Sequence, residues 1–409
     1  MIETTRFTLS NGLRVIHNYD SAAAMVALDI LYNVGGRDES PELTGMAHLF
    51  EHLMFGGSAN IPDYDGAMEN AGGTNNAWTS NDFTNFYDIM PAHNVETAFW
   101  LESDRMLGLA FSDKALEVQR QVVMEEFKQV CLNQPYGDLS HHLRQMVYTA
   151  HPYRYPVIGK EPAHIEKVTQ DDVRQFFYSH YAPNNAVLAV SGNITVEETR
   201  RLAEKWFGPI PRREVMQRTY LPEPPQREAR RVEVTGDVPQ TLIVKAYRMP
   251  GYNERDYVAC DLITDLLALG RSSRFYRRLL MGTELFSDVD AAIDGSEESG
   301  TLMLSAHLRP GVNVAEAELT LEQEARRLAD GSLTSHELEG VINRFESRTL
   351  VNSMGYRARA EQMALAEMHC EDINDILPRY RAVTTDDIVR VTRDIIIPEN
   401  CSTLVYRSA

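Results

Sequence analysis

The stretch Gly45-Met46-Ala47-His48-Leu49-Phe50-Glu51-His52-Leu53-Met54-Phe55 is apolar almost all round. A helix of that composition belongs inside a fold. Yet it carries two imidazoles and a carboxylate, which are costly to bury unless paired or bound to a metal. His48 and His52 are four residues apart and project from one side of the helix, about 40° apart around its axis. That spacing lets both rings reach one ion at a Zn–N distance of about 2.0–2.1 Å. Glu51 lies beside His52 and can touch a water on that ion. The competing reading is a core helix whose polar groups find ordinary hydrogen bonds; the HxxEH spacing favours zinc.

A catalytic zinc site needs a third protein ligand. The candidates lie in a helix predicted over Leu116 to Val130, which holds the adjacent acids Glu125 and Glu126. Helical spacing puts Val122, Val123, Glu126 and Val130 on one stripe, and Gln121, Glu125, Lys128 and Gln129 on the polar stripe. Glu126 is therefore expected to point inward, as a metal ligand in preference to a member of a buried ion pair, and Glu125 outward as a solvated acid. Two neutral imidazoles and one carboxylate would leave an open position, where a bound water has its pKa lowered to about 7. Glu51 would take its proton as general base and return it to the leaving amine.

Outward from this motif the chain reads as a duplication. Val168-Thr169-Gln170-Asp171-Asp172-Val173 recurs as Val383-Thr384-Thr385-Asp386-Asp387-Ile388, and Pro183 and Asn185 recur as Pro398 and Asn400, each at an offset of 215. Ser112 to Glu117 resembles Thr334 to Glu339 at an offset of 222. Thr169 and Thr384 have the marks of helix N-caps followed by acids in the first turn. Between the repeats, residues 207–231 hold Pro209, Pro211, Pro222, Pro224 and Pro225 among many charges, as in an extended linker. The expected organisation is a metal-binding domain over 1–206, the linker over 207–231, and a homologous domain over 232–409. Strands and helices are mixed but not strictly alternating, so the fold class expected is α+β, two homologous sandwich half-domains. At an offset near 213, His48, Glu51 and His52 fall on Asp261, Thr264 and Asp265. The second half should lack a metal site, leaving one zinc per chain.

With 409 residues and a formal net charge of −19, the chain is long enough for two or three cores. The charge argues against nucleic acid or an anionic membrane as partner. No stretch reaches the ~18 apolar residues of a membrane helix. Met1 to Phe7 has no basic start followed by an apolar run, and Cys131, Cys260, Cys370 and Cys401 form no CxxC pair. We expect free thiols and a soluble cytoplasmic protein, or a periplasmic one if a leader precedes this sequence.

HxxEH, inverted relative to HExxH, is the inverzincin signature. Here the chain resembles the pitrilysin, insulin-degrading enzyme and mitochondrial processing peptidase family, in its short bacterial-type form. Gly45 to Gly57 looks like that family's zinc helix, and Glu126, 74 residues past His52, lies near the family's spacing for its third ligand. Asn76-Ala77-Trp78-Thr79-Ser80 looks like its substrate-pairing strand, which read alone is equally an ordinary hairpin. His151-Pro152-Tyr153 through Gly159, Tyr181 to Asn185, and Gly270-Arg271-Ser272-Ser273-Arg274 match later landmarks.

The resemblance implies that one such chain is half of a clamshell, closed by a second chain around a chamber where peptides are cut. Substrate would add a strand along Asn76, Ala77, Trp78 and Thr79. Two departures stand out. Where the family carries a Glu behind its metal ligands, seven residues before the distal one, this chain has Gln119. Where the family has an Arg and a Tyr after its second-domain marker, this chain has Leu280 and Ser287, with Arg277 and Arg278 slightly early. We expect a zinc metalloendopeptidase acting on peptides or unfolded segments, in a heterodimer whose partner supplies the Arg/Tyr pair. The homodimer reading is family drift. The alternative function is a non-catalytic structural or binding subunit of a processing-peptidase-like complex.

Overall fold

Ala186–Gly192 (Ala-Val-Leu-Ala-Val-Ser-Gly) is buried at every position, as a strand covered on both faces must be. In the computed structural model, which describes all residues from Met1 to Ala409, it is a central strand of a six-stranded sheet. That sheet is built from β1 (Thr5–Thr8), β2 (Arg14–Tyr19), β3 (Met25–Tyr32), β4 (Thr74–Thr79), β5 (Thr84–Pro91) and β6 (Ala186–Gly192), in the order β1-β2-β6-β3-β5-β4. A five-stranded sheet follows from β7 (Arg230–Gly236), β8 (Leu242–Met249), β9 (Phe286–Asp294), β10 (Gly300–Leu308) and β11 (Cys401–Ser408), in the order β7-β11-β8-β10-β9. Both sheets are covered by helices, giving the α+β class expected.

The two sheets share one topology. In each, the first of the five common strands pairs parallel with the last (β2 with β6, β7 with β11), and every other pairing among those five is antiparallel. The repeat extends to single hydrogen bonds. Thr169 and Thr384 each close a reciprocal capping box, with Asp172 and Asp387. Asn185 donates to the carbonyls of His180 (2.8 Å) and Asn33 (3.2 Å). Asn400 donates to those of Ile395 (2.9 Å) and Arg248 (2.9 Å), the same positions shifted by 215.

Side-chain alternation divides the first sheet between two cores. Val26, Leu28, Ile30 and Tyr32 of β3 face a cluster containing Met46, Leu49 and Phe50. Ala27 and Leu31, with Ile16, Val187 and Ala189, face Ala360, Met363 and Ala364 of the helix Tyr356–Met368. That helix comes from the second half of the sequence.

The compact units therefore do not coincide with the sequence halves. One comprises Met1–Lys128, Tyr155–Tyr220 and Thr349–Ile376; the other comprises Gln129–Arg154, Leu221–Arg348 and Leu377–Ala409. The helix Leu139–Val147 shows the reverse exchange, packing Leu143, Met146 and Val147 against Val244, Ala246, Leu404 and Tyr406 of the second sheet. Each unit borrows one covering helix from the other half of the sequence. Residues 209–227 of the Pro-rich stretch form neither helix nor strand, and β7 begins at Arg230.

Candidate metal centre

The helix Met46–Leu53 is fixed on three sides before its polar residues are considered. Gly45, at φ 90°, opens it; a Cβ there would lie 2.8 Å from Cδ1 of Ile165 and 3.0 Å from the carbonyl of Ile158, so only glycine fits. Glu39, half-buried, accepts hydrogen bonds from the backbone N–H groups of Gly45 (2.8 Å) and Ala47 (2.8 Å). It thereby satisfies donors that the first helical turn would leave open. Burial pushes the Glu39 carboxyl up to about 8, against those two hydrogen bonds. On the core side, the Phe50 ring stacks on Tyr181 (4.9 Å, 21°) and tilts against Phe176 (5.3 Å). The face left over holds His48, Glu51 and His52, all half-buried.

Glu126 reaches this face from the helix Asp113–Phe127, which is capped by the Ser112 hydroxyl on Ala115 N–H. Its Oε2 lies 3.3 Å from Nε2 of His52 and 3.7 Å from Nε2 of His48. The imidazole rings are 4.9 Å apart and nearly perpendicular. The three potential ligand atoms lie within 4.8 Å of one another, the one such group of three among the described residues. Two ligands bound to one zinc at tetrahedral angles, each about 2.0–2.1 Å from it, sit about 3.3 Å apart. The donor set thus fits zinc in spacing and in chemistry.

Burial holds the His48 ring below the ordinary imidazole range, the Glu126 charge opposing and the neighbouring His52 adding to that effect. Its Nδ1 is buried with no hydrogen-bond partner. Glu51 stands apart from the trio: its Oε2 accepts a hydrogen bond from the Thr79 hydroxyl at 2.5 Å, and burial raises its carboxyl above the usual range.

One sequence expectation needs correcting. The buried stripe of the helix Asp113–Phe127 is Leu116, Val123 and Phe127, whereas Val122 (44% exposed) and Val130 (42%) face solvent. Glu126 sits on the shoulder of that stripe, about 80° round the axis from its centre. Valine count misjudged the stripe because apolar residues lie on both of its flanks. Glu125 does point outward, paired with Lys128 at 2.5 Å. Gln119 is half-buried on the same shoulder as Glu126, two turns earlier.

Asn76, Ala77, Trp78 and Thr79 lie on β4, which pairs only with β5 and is an edge of its sheet. Ala77 packs toward the helix Met46–Leu53, while Trp78 points to the opposite face and donates its indole N–H to Glu361 (3.0 Å). Sequence reasoning missed Glu39 and Glu361. An acid shortly before a helix start was a usable signal for Glu39; nothing local marks Glu361.

In the second unit, Asp261, Thr264 and Asp265 lie on the helix Tyr257–Ala268. Asp261 accepts from the Tyr380 hydroxyl at 2.6 Å, and Arg348 approaches Asp265 at 3.9 Å. Burial pushes Asp265 up to about 6. The offset of 222 sets Arg348 opposite Glu126, so two acids and a cation replace two imidazoles and an acid. No helix is long and apolar enough to cross a membrane, and no two of the four cysteines form a disulfide.

Two helix-covered sheets of one topology, with a His/His/Glu trio in the first unit, define a duplicated fold of metallopeptidase type. The sequence profile described as Insulinase (Peptidase family M16) matches residues 14–161, and that described as Peptidase M16 inactive domain matches residues 167–345. The chain belongs to peptidase family M16, as a pitrilysin-like member of short bacterial type. It is 26% identical over 395 residues to zinc protease PqqE of Helicobacter pylori, covering 95% of this chain and 89% of that one. The crystal structure of a protease from Helicobacter pylori superimposes with a TM-score of 0.94 at 24% identity, covering all of both chains. The periplasmic protease PqqL from Escherichia coli gives 0.82 at 18% identity, covering 99% of this chain and 48% of that one. The inactive-domain match begins beyond Glu126, in agreement with the altered residues of the second unit.

Proposed function

We propose that this chain is a zinc metalloendopeptidase that hydrolyses peptides or unfolded protein segments. His48, His52 and Glu126 would hold the ion, one per chain, with Glu51 as the general base. The carrying observation is the approach of Glu126 to both Nε2 atoms while Glu51 is left outside the donor set. A purely structural site has no use for that spare carboxylate. Zinc bound there supplies Lewis acidity, lowering the pKa of water toward about 7 and polarising a carbonyl.

The side chains do the rest. The Glu51 carboxylate takes the proton of the attacking water and delivers it to the leaving amine nitrogen. Its partial burial favours the protonated form and so makes it a stronger base than an exposed carboxylate. The open edge of β4 offers main-chain N–H and C=O groups to an extended peptide, which binds as an added strand whatever its side chains. Gln119, on the shoulder of its helix, would orient the ligands without supplying charge.

A homologous second chain would close the chamber. The relation to PqqL, of which this chain spans about half, supports a half-shell. Leu280 and Ser287 at the places of the family's Arg and Tyr favour a heterodimer, and equal activity from this chain purified alone would remove that idea. The test of the catalytic reading is zinc content and cleavage of an unfolded protein by the unaltered chain and by Glu51→Gln. The expected outcome is equal zinc and cleavage lost in the variant. Zinc without cleavage in the unaltered chain would support the non-catalytic subunit instead, which Gln119 and the unpartnered His48 Nδ1 favour.

A further inference from the structure

Strand β4 is gripped on both faces, and one grip ends on the proposed base. Side chains alternate along it, so Trp78 and Thr79 point in opposite directions. Trp78 joins the core cluster under the helix Tyr356–Met368 and donates to Glu361 at 3.0 Å. The other oxygen of Glu361 accepts from Arg357 at 3.2 Å, and the Arg357 guanidinium lies 4.9 Å from the centre of the Tyr87 ring on the neighbouring β5. On the opposite face, the Thr79 hydroxyl donates to Oε2 of Glu51 at 2.5 Å. No second strand pairs with β4; its Ala77 N–H is held by Oδ1 of Asn76 at 2.8 Å, a contact that a docking peptide would replace.

Resting on the functional reading above, we infer that Thr79 is the positioning residue of Glu51 and couples peptide docking on β4 to the alignment of the base. The hydroxyl fixes Oε2, and through it the direction in which the remaining lone pairs of the carboxylate point. Without that donor, Glu51 keeps its helix position but gains side-chain rotation. Thr79 is anchored from behind by its neighbour Trp78, so a peptide that pairs with the strand edge settles the same backbone that presents the hydroxyl. Peptide binding itself uses main-chain groups and does not need the Thr79 side chain.

The test uses the full-length protein, with any chain that co-purifies, loaded with zinc. It compares Thr79→Val, which keeps the shape and the strand preference but removes the donor, with Thr79→Ser, which keeps the donor. A hydrogen bond to a charged group is worth enough to change a rate by about ten- to hundred-fold. The expected result for Thr79→Val is a kcat lower by that factor, with KM within about twofold of the parent and zinc content and melting temperature unchanged. Thr79→Ser should recover most of kcat. Full kcat in the valine variant overturns the inference. So does a serine variant as slow as valine, or a loss carried by KM or by zinc content. If the unaltered zinc-loaded protein cleaves nothing, the functional reading itself fails and this inference goes with it, an outcome visible before any variant is compared.

Discussion

Nε2 of His52 lies 3.3 Å from Oε2 of Glu126, although 74 positions of sequence separate the two residues. Both belong to helices held by independent anchors, Glu39 and the aromatic stack for one, the buried stripe Leu116, Val123 and Phe127 for the other. Their approach is thus a property of the packed unit.

Replacing any one of the trio should abolish tight zinc binding. His48→Ala, His52→Ala and Glu126→Ala are each expected to purify with far less than one zinc per chain, measured by elemental analysis. A variant that retains full zinc contradicts its assignment as a ligand. Because the ligands bind metal only in their deprotonated forms, affinity should also fall as pH is lowered.

Gln119→Glu is expected to tighten zinc binding about tenfold or more in competition with a chelator. Gln119 stands on the same shoulder of its helix as Glu126, two turns earlier, and a carboxylate beside metal ligands fixes their orientation and raises their basicity. An unchanged affinity would show that position 119 does not support the ligands.

Glu39 makes the fold sensitive to pH in a defined direction. Its carboxyl is raised from an ordinary 4.5 to about 8, so between those values the folded chain holds a proton that the unfolded chain has released. The contribution of this group to stability is therefore greatest below about pH 4.5, falls as pH rises, and levels off above about pH 8. In Glu39→Gln that dependence should vanish. The amide NH2 cannot accept a hydrogen bond, whereas the hydroxyl oxygen of the protonated carboxyl still can, so one of the Gly45 and Ala47 N–H groups loses its partner, at a cost of about 1–3 kcal/mol near pH 5. Melting temperatures of parent and variant at pH 5 and pH 8 check both statements.

The borrowed helix Tyr356–Met368 should be indispensable to the first unit. A fragment ending at residue 231 leaves Ile16, Ala27, Leu31, Val187 and Ala189 uncovered and is expected to aggregate on expression. In the full chain, Ala364→Asp puts a carboxylate where the side chain is fully buried, which should cost several kcal/mol. Reduced zinc content in this variant, read together with its melting temperature, would show that the second half of the sequence sustains the metal site.

The sequence by itself determined the local and periodic features. HxxEH on an apolar helix, the repeated Val-Thr-x-Asp-Asp helix starts and the Pro-rich stretch are written in spacings of a few residues, where helix and strand geometry translate sequence directly into direction. The nearly constant offsets likewise announced two copies of one topology. Tertiary structure alone decided the rest. Whether Glu126 reaches the imidazoles depends on where two separately anchored helices cross, and the real buried stripe of its helix is set by the neighbours it packs against, which is why Val122 and Val130 were misplaced. The helix that completes each sheet comes from the opposite half of the chain, and Glu361 meets Trp78 across 283 residues. No pattern within a window of residues can encode those meetings, because they are fixed by the joint burial of apolar faces distant in sequence.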